Sequence, residues 1–171
     1  PNGRRLPVAG RAYAGLSKVY YEWNDLEAAT QFANESIKLC QQFGSADFLS
    51  ISYVMLARLK QALEDLDSAR QAMSQAARLA RDHHLWPAWA SWVEAFQVRL
   101  WLTSVNDSIE PEQNLETVSH WAQKLELDIN DKIKYPREIE YLMFARLLLA
   151  RGERNQALTL LTRLIHQAES T

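Results

Sequence analysis

Four cations stand at one recurring position of the chain: Lys18, Arg58, Arg99 and Arg146. Each directly follows a residue of another recurring set, Ser17, Ala57, Val98 and Ala145, so the four share a helical register wherever their segments are helices. A row of such groups suits a carboxylate or a phosphate, because a guanidinium offers a planar fork of donors that either anion accepts in bidentate fashion. Arg11, Tyr21, Gln61 and Leu149 extend the same faces, and tyrosine with arginine is typical of recognition surfaces. The competing reading is local pairing. Glu22, Glu64, Glu94 and Glu140, on a cation's own or the neighbouring helix, are the candidate partners, and surface pairs of that kind contribute only about 0–1 kcal/mol.

Other chemistries find less support. Trp86, Trp89 and Trp92 are spaced i, i+3, i+6, loosely on one helix face, with Trp101 near it. They could bind an apolar ligand or a partner helix. The plainer reading is inter-helix core, with Trp86 or Trp89 at its exposed edge. His83 and His84 are adjacent and point about 100° apart on a helix, and His120 and His166 have no metal-ligand set near them in sequence. No metal site is expected. Cys40, the single cysteine, shares an apolar stripe with Ile37 and Phe43, which reads as a buried small hydrophobe. No Gly-x-Ser-x-Gly turn and no phosphate-binding glycine loop occurs, and the acidic residues are scattered. The expectation is a binding protein, not an enzyme. A helical hydrolase or transferase would need a carboxylate pair in one pocket, and nothing in the sequence asks for one.

The elements that position these residues follow from composition. The chain has 171 residues, with 47% hydrophobic and 23% charged side chains, which excludes a disordered tail. Only five glycines and five prolines leave little room for hairpins and argue against a sandwich or barrel. A net charge of −2 selects neither nucleic acid nor an anionic membrane. Apolar runs are broken by Arg99 and Arg146 well short of the ~20 residues that span a bilayer. A lone cysteine suits the cytoplasm, and the start at Pro1 suggests a piece of something longer.

An internal repeat organises the whole. Tyr13, Leu26 and Leu39 return 40 residues later as Tyr53, Leu66 and Leu79. Ala57-Arg58-Leu59 returns as Val98-Arg99-Leu100 and as Ala145-Arg146-Leu147, the third unit carrying an insertion around Asn106 to Gln113 and a second loop at Asp128 to Pro136. Asp25 and Asp65 stand where N-caps belong. Ser45 and Pro136 fall near the starts of first helices, and Gly44 follows the end of a second one. Helices are predicted at about 6–23, 25–43, 46–63, 65–82, 87–105, 112–127, 136–151 and 153–168. Small residues recur where axes must cross: Ser17, Ala57 and Ala145 in first helices, and Ala29, Ala69 and Ala157 in second ones. A lone pair of helices cannot bury its apolar faces, so pairs must stack. The expected fold is an all-α, right-handed solenoid of about four antiparallel helix pairs, residues 1–171 forming one tetratricopeptide-like repeat domain. In such arrays the residue after the small one tends to face the concave groove, which would make the cations a ladder on the inner wall.

A narrower likeness follows from Tyr20-Tyr21-Glu22-Trp23-Asn24-Asp25-Leu26-Glu27-Ala28-Ala29, from Trp121-Ala122 and Arg137-Glu138, and from Ala145-Arg146-Leu147-Leu148-Leu149-Ala150 with the closing leucines. These segments resemble the helical-repeat part of MalT-like, LuxR-type ATP-dependent transcriptional regulators. The resemblance implies a sensor or assembly segment lying between an ATP-binding switch module and a DNA-binding helix-turn-helix. ATP then belongs to that other module, and no cofactor is expected here. The implied partners are a protein or small-molecule effector, with self-association, and with no direct nucleic-acid or membrane contact. A stand-alone adaptor that clamps acidic or C-terminal peptide segments on the cations is the alternative.

Overall fold

The computed structural model describes residues 8–103, 111–133 and 137–169. Among them are eight helices and no strand: α1 (Val8–Glu22), α2 (Leu26–Phe43), α3 (Ala46–Ala62), α4 (Leu66–Asp82), α5 (Pro87–Thr103), α6 (Pro111–Lys124), α7 (Glu138–Ala150) and α8 (Arg154–Glu169). The all-helical expectation therefore holds. The chain divides into two compact units, Pro1–Val93 and Glu94–Thr171.

In the first unit α1 packs on α2, α2 on α3 and α3 on α4, while α1 also touches α3. The sequence repeat reappears in the backbone. Asn24 (φ 61°), Gly44 (φ 70°), Glu64 (φ 60°) and His84 (φ 46°) are all left-handed, one at each helix end. Such a residue turns the chain back so that following amides reach the last carbonyls of the helix. Asp25 N bonds Tyr20 O at 2.9 Å, and Asp65 N bonds Lys60 O at the same distance. Each aspartate then caps the next helix, Asp25 accepting from Ala28 N and Asp65 from Ser68 N. Ser45 precedes α3 without a side-chain capping bond.

Small residues set how closely the helices approach. Ser17, Ala29 and Ala69 are fully buried, and Ala57 nearly so. At Gly10 an added Cβ would lie 2.9 Å from Cys40 Sγ, so only glycine admits α2 this closely. Around that contact Ser36 Oγ donates to Gly10 O at 2.7 Å and lies 2.7 Å from Ser52 Oγ. With its proton committed to Gly10, Ser36 accepts from Ser52, whose own proton is shared with Phe48 O at 2.7 Å. Cys40 is buried as expected, and burial pushes its thiol above the usual range.

The second unit is built from larger side chains. Ala95 and Val98 of α5, Val118, Trp121 and Ala122 of α6, and Met143 and Leu147 of α7 form one cluster. Tyr141, Ala145 and Leu148 of α7 join Ala157 and Leu160 of α8 in another, closed by Ile133. Here α6 stops at Lys124, short of the predicted 127, because Glu126 turns left-handed (φ 52°) and Leu127 N wraps back to Ala122 O. The predicted loop to Gln113 is likewise shorter: α6 already begins at Pro111, where the missing N–H of proline costs nothing. Residues 104–110 of that insertion, and Pro136 as a helix start, lie outside the described residues.

Candidate docking surface

In the first unit the first helices present cations and rings to one another. Arg58 on α3 lays its guanidinium 4.4 Å from the centroid of Tyr21 on α1 and reaches Glu22 at 3.7 Å. A cation over an aromatic face is attracted by the ring quadrupole, so Tyr21 and Glu22 together hold Arg58 in place. Lys18 is exposed one turn below them, and half-buried Gln61 lies one turn beyond Arg58. Arg11 sits 5.2 Å from the Phe48 centroid, and Phe48 meets Trp89 edge to face at 5.9 Å. Two separate sets of contacts thus join first helices: Arg58 with Tyr21 and Glu22 between α1 and α3, and Arg11 with Phe48 and Trp89 across α1, α3 and the opening of α5. Trp89 and Trp92 are half-buried, whereas Trp86 is 70% exposed.

In the second unit Arg99 lies 6.0 Å from the Phe96 centroid. Desolvation holds the Arg146 guanidinium below its usual range, and the nearby Arg99 charge adds to the effect, although the Arg146 residue as a whole is exposed. Leu149 is half-exposed one turn further on. Local pairing therefore describes Arg58, through Glu22, but does not join Arg146 to Glu140, whose carboxylate goes to Arg137 Nε at 2.6 Å.

Sequence reasoning did not find Phe48, the ring between Arg11 and Trp89; its place 41 residues before Trp89 was the available signal. It also missed a polar knot in the loop after α6. Arg163 of α8 donates to the carbonyls of Ile129, of Asn130 at 3.2 Å and of Asp131 at 2.6 Å. Tyr141 Oη donates to Asp131 Oδ2 at 2.7 Å, and Arg137 donates to Leu125 O at 3.1 Å. The Tyr141 hydrogen bond holds the Asp131 carboxyl below the usual range. Burial, and then the Asp131 acceptor, push the Tyr141 phenol up to about 12. A cavity of about 300 Å³ opens here, lined by Leu125, Glu126, Asp131, Lys132, Arg137 and Tyr141. Arg137, Asp131 and Tyr141 are engaged with their neighbours, so the knot ties a loop down.

Among the described residues no group of three or more His, Cys, Asp or Glu could hold a metal ion, and no helix is long and apolar enough to cross a membrane. A family model described as the MalT-like TPR region matches residues 1–171. A search of curated proteins finds no match to the chain.

Proposed function

The chain belongs to the MalT-like TPR family, and on that premise we propose that it is the effector- or partner-sensing segment of a cytoplasmic, ATP-dependent transcription regulator. The observation that carries this reading is the set of cations and rings shared between first helices, Arg58 on Tyr21 and Arg11 on Phe48. Helical repeats mediate binding through such faces. Arginine and aromatic side chains supply the anchors that dominate recognition energy. No chemistry need occur on them. An effector that prefers one arrangement of the stacked pairs shifts the population toward it, and the bias passes to whatever module the repeats adjoin. ATP belongs to a separate switch module of the parent protein, and DNA contact to a third.

Two measurements test the reading. The parent gene is expected to encode a nucleotide-binding module on one side of this segment and a helix-turn-helix on the other; a parent with neither ends the regulator reading. A thermal-shift screen of small molecules and peptides on the 171-residue chain is expected to yield a binder. At 100 times its Kd that binder adds about 2.7 kcal/mol. The double variant Arg58→Glu, Arg99→Glu, its helicity confirmed by circular dichroism, is expected to lose that shift. An undiminished shift would show that the surface is not the docking face. The same experiment addresses a second reading, an adaptor for acidic peptide tails, which the exposed cations Lys18 and Arg146 favour.

A further inference from the structure

The bonds that tie the loop after α6 to α7 also fix two opposite charges on one cavity. Asp131 Oδ2 accepts from Tyr141 Oη at 2.7 Å and from Asp128 N at 2.9 Å. Its other oxygen accepts no hydrogen bond among the described residues. The Asp131 carbonyl is gripped by Arg163 at 2.6 Å, so this carboxylate stands on a held backbone. Arg137, just before α7, donates through Nε to Glu140 at 2.6 Å and through Nη2 to Leu125 O at 3.1 Å. Its guanidinium lies 5.6 Å from the Tyr141 centroid, and Nη1 makes no hydrogen bond among the described residues. Both groups line the same cavity of about 300 Å³. Among the described residues no ion pair joins them. Glu126 and Lys132 line it too, both exposed and neither in an ion pair among the described residues.

From this we infer that the cavity is a binding site for a small zwitterion, an α-amino acid, whose ammonium meets Asp131 and whose carboxylate meets Arg137. A cation and an anion that line one cavity without pairing suit a ligand that carries both charges. A singly charged ligand satisfies one of them and faces the like charge of the other. Glu126 and Lys132 repeat the two signs, so the lining, two anions and two cations, is neutral as a whole. The Asp131 carboxyl, held below its usual range by the Tyr141 hydrogen bond, is ionised at neutral pH. Charged groups oriented in advance by other bonds lose little freedom on gripping a ligand, and charge-assisted hydrogen bonds are the strong ones. A volume of about 300 Å³ is at the small end of ligand sites, which suits an amino acid. Asp131 belongs to the loop and Arg137 and Tyr141 to the start of α7, so a ligand held by both strengthens the tie between them. None of these residues belongs to the first-helix surface, and the site adds a class of small effector to that reading without depending on it.

The test is an NMR titration of the full 171-residue chain with each protein amino acid at neutral pH, glycine first, at ionic strength held constant with chloride. With at least one of them the backbone amides of Glu126, Lys132 and Tyr141 are expected to move along one shared, saturating curve in the millimolar range, while exposed Lys38 of the other unit stays still. The N-acetyl derivative of that amino acid lacks the ammonium, and its amide lacks the carboxylate. Each is expected to bind at least about tenfold more weakly. Arg137→Gln is expected to weaken binding by a similar factor. Because that change also releases Glu140, the double variant Glu126→Gln, Lys132→Gln, confined to exposed side chains, is measured beside it. It is expected to weaken binding about threefold with helicity intact. Saturation by no amino acid, equal affinity for either derivative, or binding unchanged in either variant overturns the inference. An effector that shifts thermal stability through Arg58 while no amino acid moves these amides would sink this inference and leave the wider reading standing.

Discussion

The two units hold their helices together with different mixes of small and large side chains. In Pro1–Val93 the crossings are made by Gly10, Ala29, Ala33, Ala69 and buried serines, and the polar atoms among them bond along a short relay from Gly10 O through Ser36 and Ser52 to Phe48 O. In Glu94–Thr171 Val118, Trp121, Met143, Leu147 and Leu160 fill the interior, and polar groups are concentrated in one knot around Asp131. A close-approach core fails when atoms are added, and a filled core fails when atoms are removed. One repeat pattern thus supports two balances of side-chain volume, small residues prevailing in the first unit and large ones in the second.

The largest test of that contrast is truncation in the second unit. Leu147 is fully buried at the meeting of α5, α6 and α7, so Leu147→Ala is expected to cost about 2–5 kcal/mol. Urea unfolding monitored by tryptophan fluorescence would measure it. The converse change belongs to the first unit: Ala69, with no exposed surface at the start of α4, should tolerate no growth. Ala69→Leu is expected to cost about 1–3 kcal/mol by overpacking. If Ala69→Leu were neutral while Leu147→Ala remained costly, the first unit would have slack at its crossings and the contrast would fail.

A smaller effect separates the units by pH. Tyr141→Phe removes the hydrogen bond to Asp131 at little cost in volume, and hydrogen bonds to charged groups are worth about 1.5–3 kcal/mol, less where water competes. Asp131 has a depressed folded-state pKa, so its contribution is complete above its unfolded value and is lost as pH falls through the folded one, on the acid side. Tyr141 is shifted the other way. Its phenol, raised to about 12 in the fold, contributes below its ordinary value near 10 and loses that contribution as pH rises toward 12. The native chain should therefore show both losses in hydrogen exchange of the loop after α6, and Tyr141→Phe should flatten both. An unchanged profile in the variant would remove Asp131–Tyr141 as the tie.

What the sequence made legible divides along the same line. Features that recur were readable: the capping role of Asp25 and Asp65, the left-handed Gly44, the buried Ala29, Ala69 and Ala157, and helix limits close to those observed. Recurrence works as an internal comparison, because a small residue or an aspartate returning in register has a shared geometric cause. The knot around Asp131 was unreadable because it occurs once and joins residues up to 34 apart, from Ile129 to Arg163. The cation face was legible as a register and no further. That Arg58 would find Tyr21 and Glu22 on another helix depends on how α1 and α3 stack, which the spacing within either helix does not determine.

The finest test exploits that register at one atom. Ser17, Ala57, Val98 and Ala145 occupy the same position, yet only Ser17 brings a hydroxyl to it. Ser17 is completely buried, and its Oγ has no hydrogen-bond partner among the described residues. An unsatisfied buried polar group carries its desolvation cost with no return, about 1–3 kcal/mol for a full loss. A helical serine can recover part of this from the carbonyl four residues back if its rotamer turns. Ser17→Ala removes the hydroxyl and leaves the methyl group that Ala57 and Ala145 already place at this position. It is expected to stabilise the chain by about 1 kcal/mol or less, also through the better helix propensity of alanine. A rise in the urea midpoint at constant slope would register the gain. Destabilisation would show instead that the Ser17 hydroxyl is bonded in solution, and that the first unit has a second polar relay beside the one through Ser36.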